Sequence, residues 1–275
     1  MLTTIAILVQ SVLTQAVPAD MSLETLCQSQ PDRIVRLFEA LDLARPGLEK
    51  AKEAVEVKDW PNACRALLDY HRNSPWVAKF RIVAKPASTE RNPEADVILN
   101  DNYTLYSVTD KVPRRPDGGL DWACNGPTGD KEWGWGLNRH HWVGTLLDAY
   151  SGTGNPEYIT VLDKLLSDWV LSNPYPSQKS STPQWRGLEV FFRVAEAWPR
   201  AFFGLLEVVE LTPATRILIL SSVPDHAHYN RHFHSDHGNW VTMEMRGLAS
   251  AAGYWPEFKD ANAWFDYAVG RMTPE

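Results

Sequence analysis

Between His226 and Trp240 the chain reads HAHYNRHFHSDHGNW, which puts five of its eight histidines within twelve positions. Imidazoles at that density can ligate a borderline metal, move protons near neutral pH, or receive an anion at a loop. Neither HExxH nor a Cys/His set of known ligand spacing is present, so no metal centre is assigned. The run reads better as a polar helix end and loop lining a cleft; a solvated loop whose histidines are merely neighbours is the plain alternative. Gly238-Asn239 makes a turn into a following helix, with Asn239 expected as its cap.

Two further clusters carry polar groups among rings. In the run Glu132 to Trp142, EWGWGLNRHHW, the residues Trp135, Asn138, Arg139 and Trp142 share one side of a helix at spacings of three and four. An indole beside an amide and a guanidinium suits a sugar bearing a carboxylate, because arginine offers a fork of donors to a planar anion. The same pattern also suits a core, with Trp133 and Trp142 inside and Arg139 in a buried ion pair. The second cluster is Trp185-Arg186-Gly187-Leu188-Glu189 with Arg193 and Trp198. Glu189 and Arg193, at i,i+4, also fit an ordinary ion pair on a helix surface.

The elements that must position these groups are helical. Apolar spacing predicts helices over 32–41, 49–57 and 59–70, the last opened by Asp59-Trp60-Pro61. A second series is expected over 132–150, 156–171 and 185–197, with Pro199 producing a kink or break. Thr212-Pro213 opens another helix, Asn239 or Trp240 the next, and Asp260 the last. Between 74 and 131, Pro75, Pro86, Pro93, Pro113, Pro116 and Pro127 and the turn Asp117-Gly118-Gly119 predict a long irregular segment draped over the helical body. Strands are marginal, near 80–83 and 103–108. The fold class is all-α.

Composition narrows the function. The 275 residues are 44% hydrophobic and 22% charged, which excludes a disordered or collagen-like chain. A net charge of −7 argues against a nucleic-acid binder held by overall charge. Three cysteines without a CxxC pair exclude a complete disulfide framework and a Cys-rich zinc module. Twelve Trp and nine Tyr are enough to line a sugar-binding cleft as well as to fill a core. Residues 4–17 form an apolar run too short to span a bilayer, and 16–19 offer a cleavage site of the A-x-A kind, although no Lys or Arg precedes the run. A signal peptide over 1–19 and a periplasmic or secreted mature chain over 20–275 are expected, with no later stretch of membrane length.

Taken in order, these pieces resemble the heparinase II/III superfamily of polysaccharide lyases. The resemblance rests on Glu132-Trp133 through Leu137-Asn138-Arg139-His140-His141-Trp142, on Asp168-Trp169, Asn173-Pro174, and on Trp185, Glu189 and Arg193. It continues through Gly238-Asn239-Trp240, Glu244, Gly247-Leu248, Gly253, Trp255-Pro256-Glu257-Phe258-Lys259, Ala261 and Trp264, and so covers about 55–268. It implies an incomplete (α/α) toroid of helical hairpins, followed in complete members by a β-sandwich. It also implies β-elimination, without metal or cofactor, on a uronic-acid polysaccharide such as heparan sulfate or alginate.

In that chemistry an Asn neutralises the uronate carboxylate, sometimes with a His; here Asn239 matches, Trp240 stands where His is frequent, and His237 is the nearest substitute. The implied polysaccharide contacts are Trp135, Asn138, Arg139, His140, Trp185, Glu189, Arg193 and Trp240. The family's catalytic Tyr and sandwich His lie beyond Glu275, so little or no turnover is expected of these 275 residues alone. The alternatives are a non-catalytic carbohydrate-binding domain and a toroid glycoside hydrolase, which would need two facing carboxylates.

Overall fold

The computed structural model describes residues 21–273; the expected leader over 1–19 lies outside them. The chain opens with α1 (Leu23–Ser29) and α2 (Pro31–Ala40), then pairs α3 (Glu49–Glu56) with α4 (Trp60–Arg72). Asp59 accepts from the Asn62 backbone N–H and Pro61 sits in the first turn of α4, so the predicted start forms for the predicted reason.

The proline-rich stretch holds α5 (Pro75–Phe80), α6 (Pro93–Leu99) and one hairpin, β1 (Asn102–Leu105) with β2 (Val108–Lys111). Its two turn residues, Tyr106 and Ser107, both have positive φ, 50° and 65°, the geometry that matches the twist of a two-residue hairpin. The strand expected at 80–83 does not form: Phe80 ends α5 and the following backbone runs as an unpaired segment, held by Ile82 N–H on the Gly204 carbonyl.

The helix expected over 132–150 is two helices, α7 (Lys131–Asn138) and α8 (His141–Thr153), because His140 is left-handed at φ 62°. After α9 (Glu157–Ser172), α10 (Gly187–Phe192) runs into a π-helical turn, Arg193–Ala197, and on into α11 (Trp198–Gly204). Pro199 lies just past the π-helical turn inside this continuous helical run, so the expected disturbance takes the form of a local change of helix register and no break occurs. Then come α12 (Pro213–His232), capped by Thr212 as expected, α13 (Asn239–Tyr254) and α14 (Ala261–Met272).

Consecutive helices pack on each other in α3/α4, α8/α9, α12/α13 and α13/α14, giving an all-α series of hairpins around one core. Trp169, Trp198, Phe202 and Trp255 are wholly enclosed, each burial contributing roughly 1.5–3 kcal/mol. The WPEFK segment after α13 ties the end of α2 to the connection between α13 and α14. Leu41 bridges Phe258, Asp42 N–H donates to the Glu257 carbonyl at 2.8 Å, and Lys259 N–H donates to the Ala40 carbonyl at 2.9 Å. Beneath this clip Glu257 Oε1 lies 3.3 Å from His71 Nε2, both side chains 1% exposed. Burial pushes Glu257 up to about 8 and His71 down to about 3, so the pair is neutral, a protonated carboxyl beside an uncharged imidazole.

Candidate active site

The site is built in two layers, a dry floor and a wet rim. Arg193, in the π-helical turn, is the centre of the floor and is completely buried. Its Nε donates to His226 Nε2 at 2.9 Å, Nη1 to the Asn138 carbonyl at 2.8 Å, and Nη2 to the Gln184 carbonyl at 2.9 Å. Its guanidinium also lies 4.2 Å from the centre of the Trp169 ring. Burial pushes Arg193 down to about 9. His226 Nδ1–H donates to the Ser222 carbonyl at 2.8 Å, which leaves Nε2 as the acceptor, and burial beside Arg193 keeps the ring neutral. Asn138 spends its amide on the Trp122 and Gly134 carbonyls and on Trp169 Nε1. One cation thereby fixes α7, α9, α10 and α12 to one another.

The rim begins with Glu189, which is fully buried but holds two partly exposed guanidiniums. Arg186 meets it bidentately, Nε at 2.6 Å and Nη2 at 2.8 Å, and Arg139 Nε reaches it at 3.1 Å. Arg186 lies flat over Trp135, 3.5 Å from the ring centre, and 5.1 Å from the exposed Trp240 ring. Arg139 also contacts the Tyr106 hydroxyl at the hairpin tip. Glu132, a half-exposed carboxylate, lies 3.9 Å from Arg139, so the rim sets two guanidiniums against two carboxylates, between rings that a sugar face can cover.

Asn239 and His237 are exposed next to Trp240. Their loop is anchored from three sides: Glu244 accepts from Ser235 N–H at 2.7 Å, Arg271 donates to the Asp236 carbonyl at 2.8 Å, and Lys179 donates to the His234 carbonyl at 3.1 Å. Burial raises Glu244, and its carboxylate occupies the place where a Cβ on Gly187 would stand, 2.0 Å away. Asn239 is not the helix cap. Gly238 takes that position at φ 88°, makes no side-chain cap bond, and leaves the Asn239 amide facing outward as the first helical residue.

The structure thus brings Trp135 and Trp240 together at Arg186, links Arg139 to Arg186 through Glu189, and leaves Asn239 and His237 exposed beside Trp240. Asn138, His140, Trp185 and Arg193, expected as polysaccharide contacts, are buried; Asn138, Trp185 and Arg193 bond internal partners, and His140 Nδ1 accepts from Trp198 Nε1 at 3.2 Å while its Nε2 is enclosed without a hydrogen-bond partner. Glu189 is likewise enclosed, and it pairs with Arg139 and Arg186 rather than with Arg193. The five clustered histidines do not share one site: His226 is in the floor, His228 and His232 lie beside each other at the exposed end of α12, His234 binds the Tyr267 hydroxyl at 2.7 Å, and His237 is exposed in the loop. Arg186, which the sequence placed in the second cluster without a role, and Tyr106, which it did not mark, complete the rim. The Trp-Arg dipeptide 185–186 was the available signal for the first; nothing local marks the second.

A family model described as Heparinase II/III N-terminus matches residues 37–275. The chain belongs to that family. Curated relatives include heparin-sulfate lyases from Bacteroides thetaiotaomicron, 28% identical over 273 residues (93% of this chain, 38% of the relative), and from Pedobacter heparinus, 28% identical over 246 residues (86% and 37%). Solved structures of similar shape include a heparinase III at TM-score 0.72 and 25% identity, covering 86% of this chain and 39% of that one. Another is the heparan sulfate lyase HepC from Pedobacter heparinus, at TM-score 0.71 and 26% identity, covering 86% and 38%. The heparinase II/III domain described here therefore spans about two fifths of the length of those relatives and has their toroidal helical architecture. Of the residues on which the resemblance rests, Arg193, Asn138 and Trp169 build the floor and the WPEFK segment builds the clip.

Proposed function

We propose that this domain is the carboxylate-binding part of a lyase that cleaves a uronic-acid polysaccharide of the heparan sulfate class by β-elimination. The observation that carries the reading is the rim: two guanidiniums, Arg139 and Arg186, fixed by Glu189 and flanked by Trp135 and Trp240, beside an exposed Asn239. The names of the relatives support the same substrate class.

The C5 proton of a uronate is a weak acid while the adjacent carboxylate is charged, since its removal adds charge to an anion. An N–H donor aimed at the carboxylate stabilises the enolate-like transition state, and one such donor is worth roughly 10²–10³ in rate. Asn239 supplies that donor without a titrating charge, and His237 is the second neutralising group. Arg139 and Arg186 hold the polymer's negative groups, and the two indoles pack against the sugar faces. Export of the chain after removal of residues 1–19 would place it where such a polymer is met.

A turnover-competent form of the protein, given heparan sulfate, accumulates an unsaturated uronate that absorbs in the near ultraviolet. New reducing ends without that absorbance would mean hydrolysis, and binding with neither product would mean a carbohydrate-binding domain. Either result overturns the reading.

A further inference from the structure

His228 and His232 stand one turn apart on the exposed side of α12, at its C-terminal end. Their ring centres are 4.2 Å apart. His228 Nδ1 is hydrogen-bonded to the Tyr175 hydroxyl, an arrangement that fixes the ring and leaves Nε2 for another partner. Partial burial and the neighbouring His232 hold His228 below the usual histidine range, and in the tautomer whose Nδ1–H donates to the Tyr175 oxygen the lone pair is on Nε2. The terminal carbonyls of a 20-residue helix add partial negative charge beside the pair, which favours a cation. The polysaccharide rim, built on α7, α10 and the start of α13, uses none of these groups.

We propose that His228 and His232 chelate one borderline divalent cation, Zn²⁺ or Cu²⁺, with Tyr175 orienting His228 and water completing the coordination shell. Two imidazoles at i and i+4 on a helix present nitrogens to a single ion, as the histidines of helical zinc motifs do. Nitrogen donors select Zn²⁺ and Cu²⁺ over the oxygen-seeking Mg²⁺ and Ca²⁺. Among the described residues no group of three His, Cys, Asp or Glu side chains converges to hold an ion, so the proposed site keeps open positions and releases its metal to chelators. Tyr175 acts as the outer partner that sets the His228 tautomer.

The test is a Zn²⁺ titration of protein freed of any polyhistidine tag, read by calorimetry and by NMR of the histidine rings. One equivalent should bind, with the His228 and His232 ring signals perturbed and Mg²⁺ unable to compete. His232→Ala, at an exposed position, should abolish that stoichiometric binding, Tyr175→Phe should weaken it about 10-fold, and His141→Ala should leave it unchanged. Failure of the wild-type protein to bind one equivalent, ring perturbations elsewhere, or undiminished affinity in His232→Ala would overturn the proposal. Unchanged affinity in Tyr175→Phe would remove the orienting role.

Discussion

Glu189→Gln separates two effects that the rim combines, charge and position. The wild-type carboxylate is enclosed and accepts three N–H groups, two from Arg186 at 2.6 and 2.8 Å and one from Arg139 at 3.1 Å. Gln keeps the shape but turns an amide donor toward a guanidinium, leaving Arg186 without a counter-charge and Arg139 with only the half-exposed Glu132 carboxylate at 3.9 Å. Removing one partner of a buried pair costs about 3–5 kcal/mol. Arg139 and Arg186 retain 13% and 16% exposure, and that residual hydration places the expected loss near the lower end, about 3 kcal/mol. For a domain of this size that is a fall in Tm of about 6–12 °C, measurable by circular dichroism. Net charge alone would predict tighter binding of an acidic oligosaccharide by the variant. The geometry predicts weaker binding, because the guanidinium stacked on Trp135 loses its anchor. A double-mutant cycle with Arg139→Met should show coupling of 0.5 kcal/mol or more, roughly the threshold for residues in contact. Stability within about 1 kcal/mol of wild type, together with unimpaired oligosaccharide binding, would refute the idea that Glu189 holds the rim in place.

Further outcomes follow from the clip, the loop and the rim. Glu257, raised by burial to about 8 from an ordinary 4.5, contributes stability that is complete below pH 4.5 and lost as pH rises through 8. His71, lowered to about 3 from 6.5, contributes stability that is complete above pH 6.5 and lost as pH falls through 3. The two slopes cancel between 4.5 and 6.5, so urea unfolding should show a plateau there and a loss of about 2 kcal/mol between pH 6.5 and 8 that Glu257→Gln abolishes. Gly187→Ala sets a methyl against the Glu244 carboxylate and should cost about 1–3 kcal/mol in urea unfolding, with faster proteolysis of the 233–238 loop. Trp240→Ala, at a 45% exposed ring, should leave stability within about 0.5 kcal/mol of wild type and weaken heparan sulfate oligosaccharide binding about 5- to 30-fold by calorimetry.

Most of the helical series is legible in the sequence, because its starts use local chemistry: Asp59 with Pro61, and Thr212 with Pro213, are complete signals within four residues. The break between α7 and α8 is not legible, since a left-handed His140 carries no marker that distinguishes it from a helical one; the surrounding rings of Trp122, Trp142, Trp169 and Trp198 impose the turn. Spacing put Trp135, Asn138, Arg139 and Trp142 on one side of a single helix, yet only Trp135 and Arg139 keep partial exposure. Asn138 is in the floor, Trp133 and Trp142 are in the core, and Arg139 pairs with the buried Glu189, as the core alternative had it. Reading Glu189 with Arg193 failed for a similar reason. Neighbours four apart on a helix are the obvious partners, but tertiary packing supplied Arg139, fifty residues away, as the better one. Arg186 over Trp135 and Trp240 likewise joins three distant segments, which no local pattern encodes.

The central claim is that the exposed amide at position 239 neutralises a uronate carboxylate during elimination. The direct measurement is the rate of near-ultraviolet product formation from heparan sulfate by a turnover-competent form of the protein and by its Asn239→Ala variant, with helical content checked by circular dichroism. A drop in kcat of about 10²–10³-fold with the fold intact is predicted. Unchanged turnover in Asn239→Ala would contradict the account.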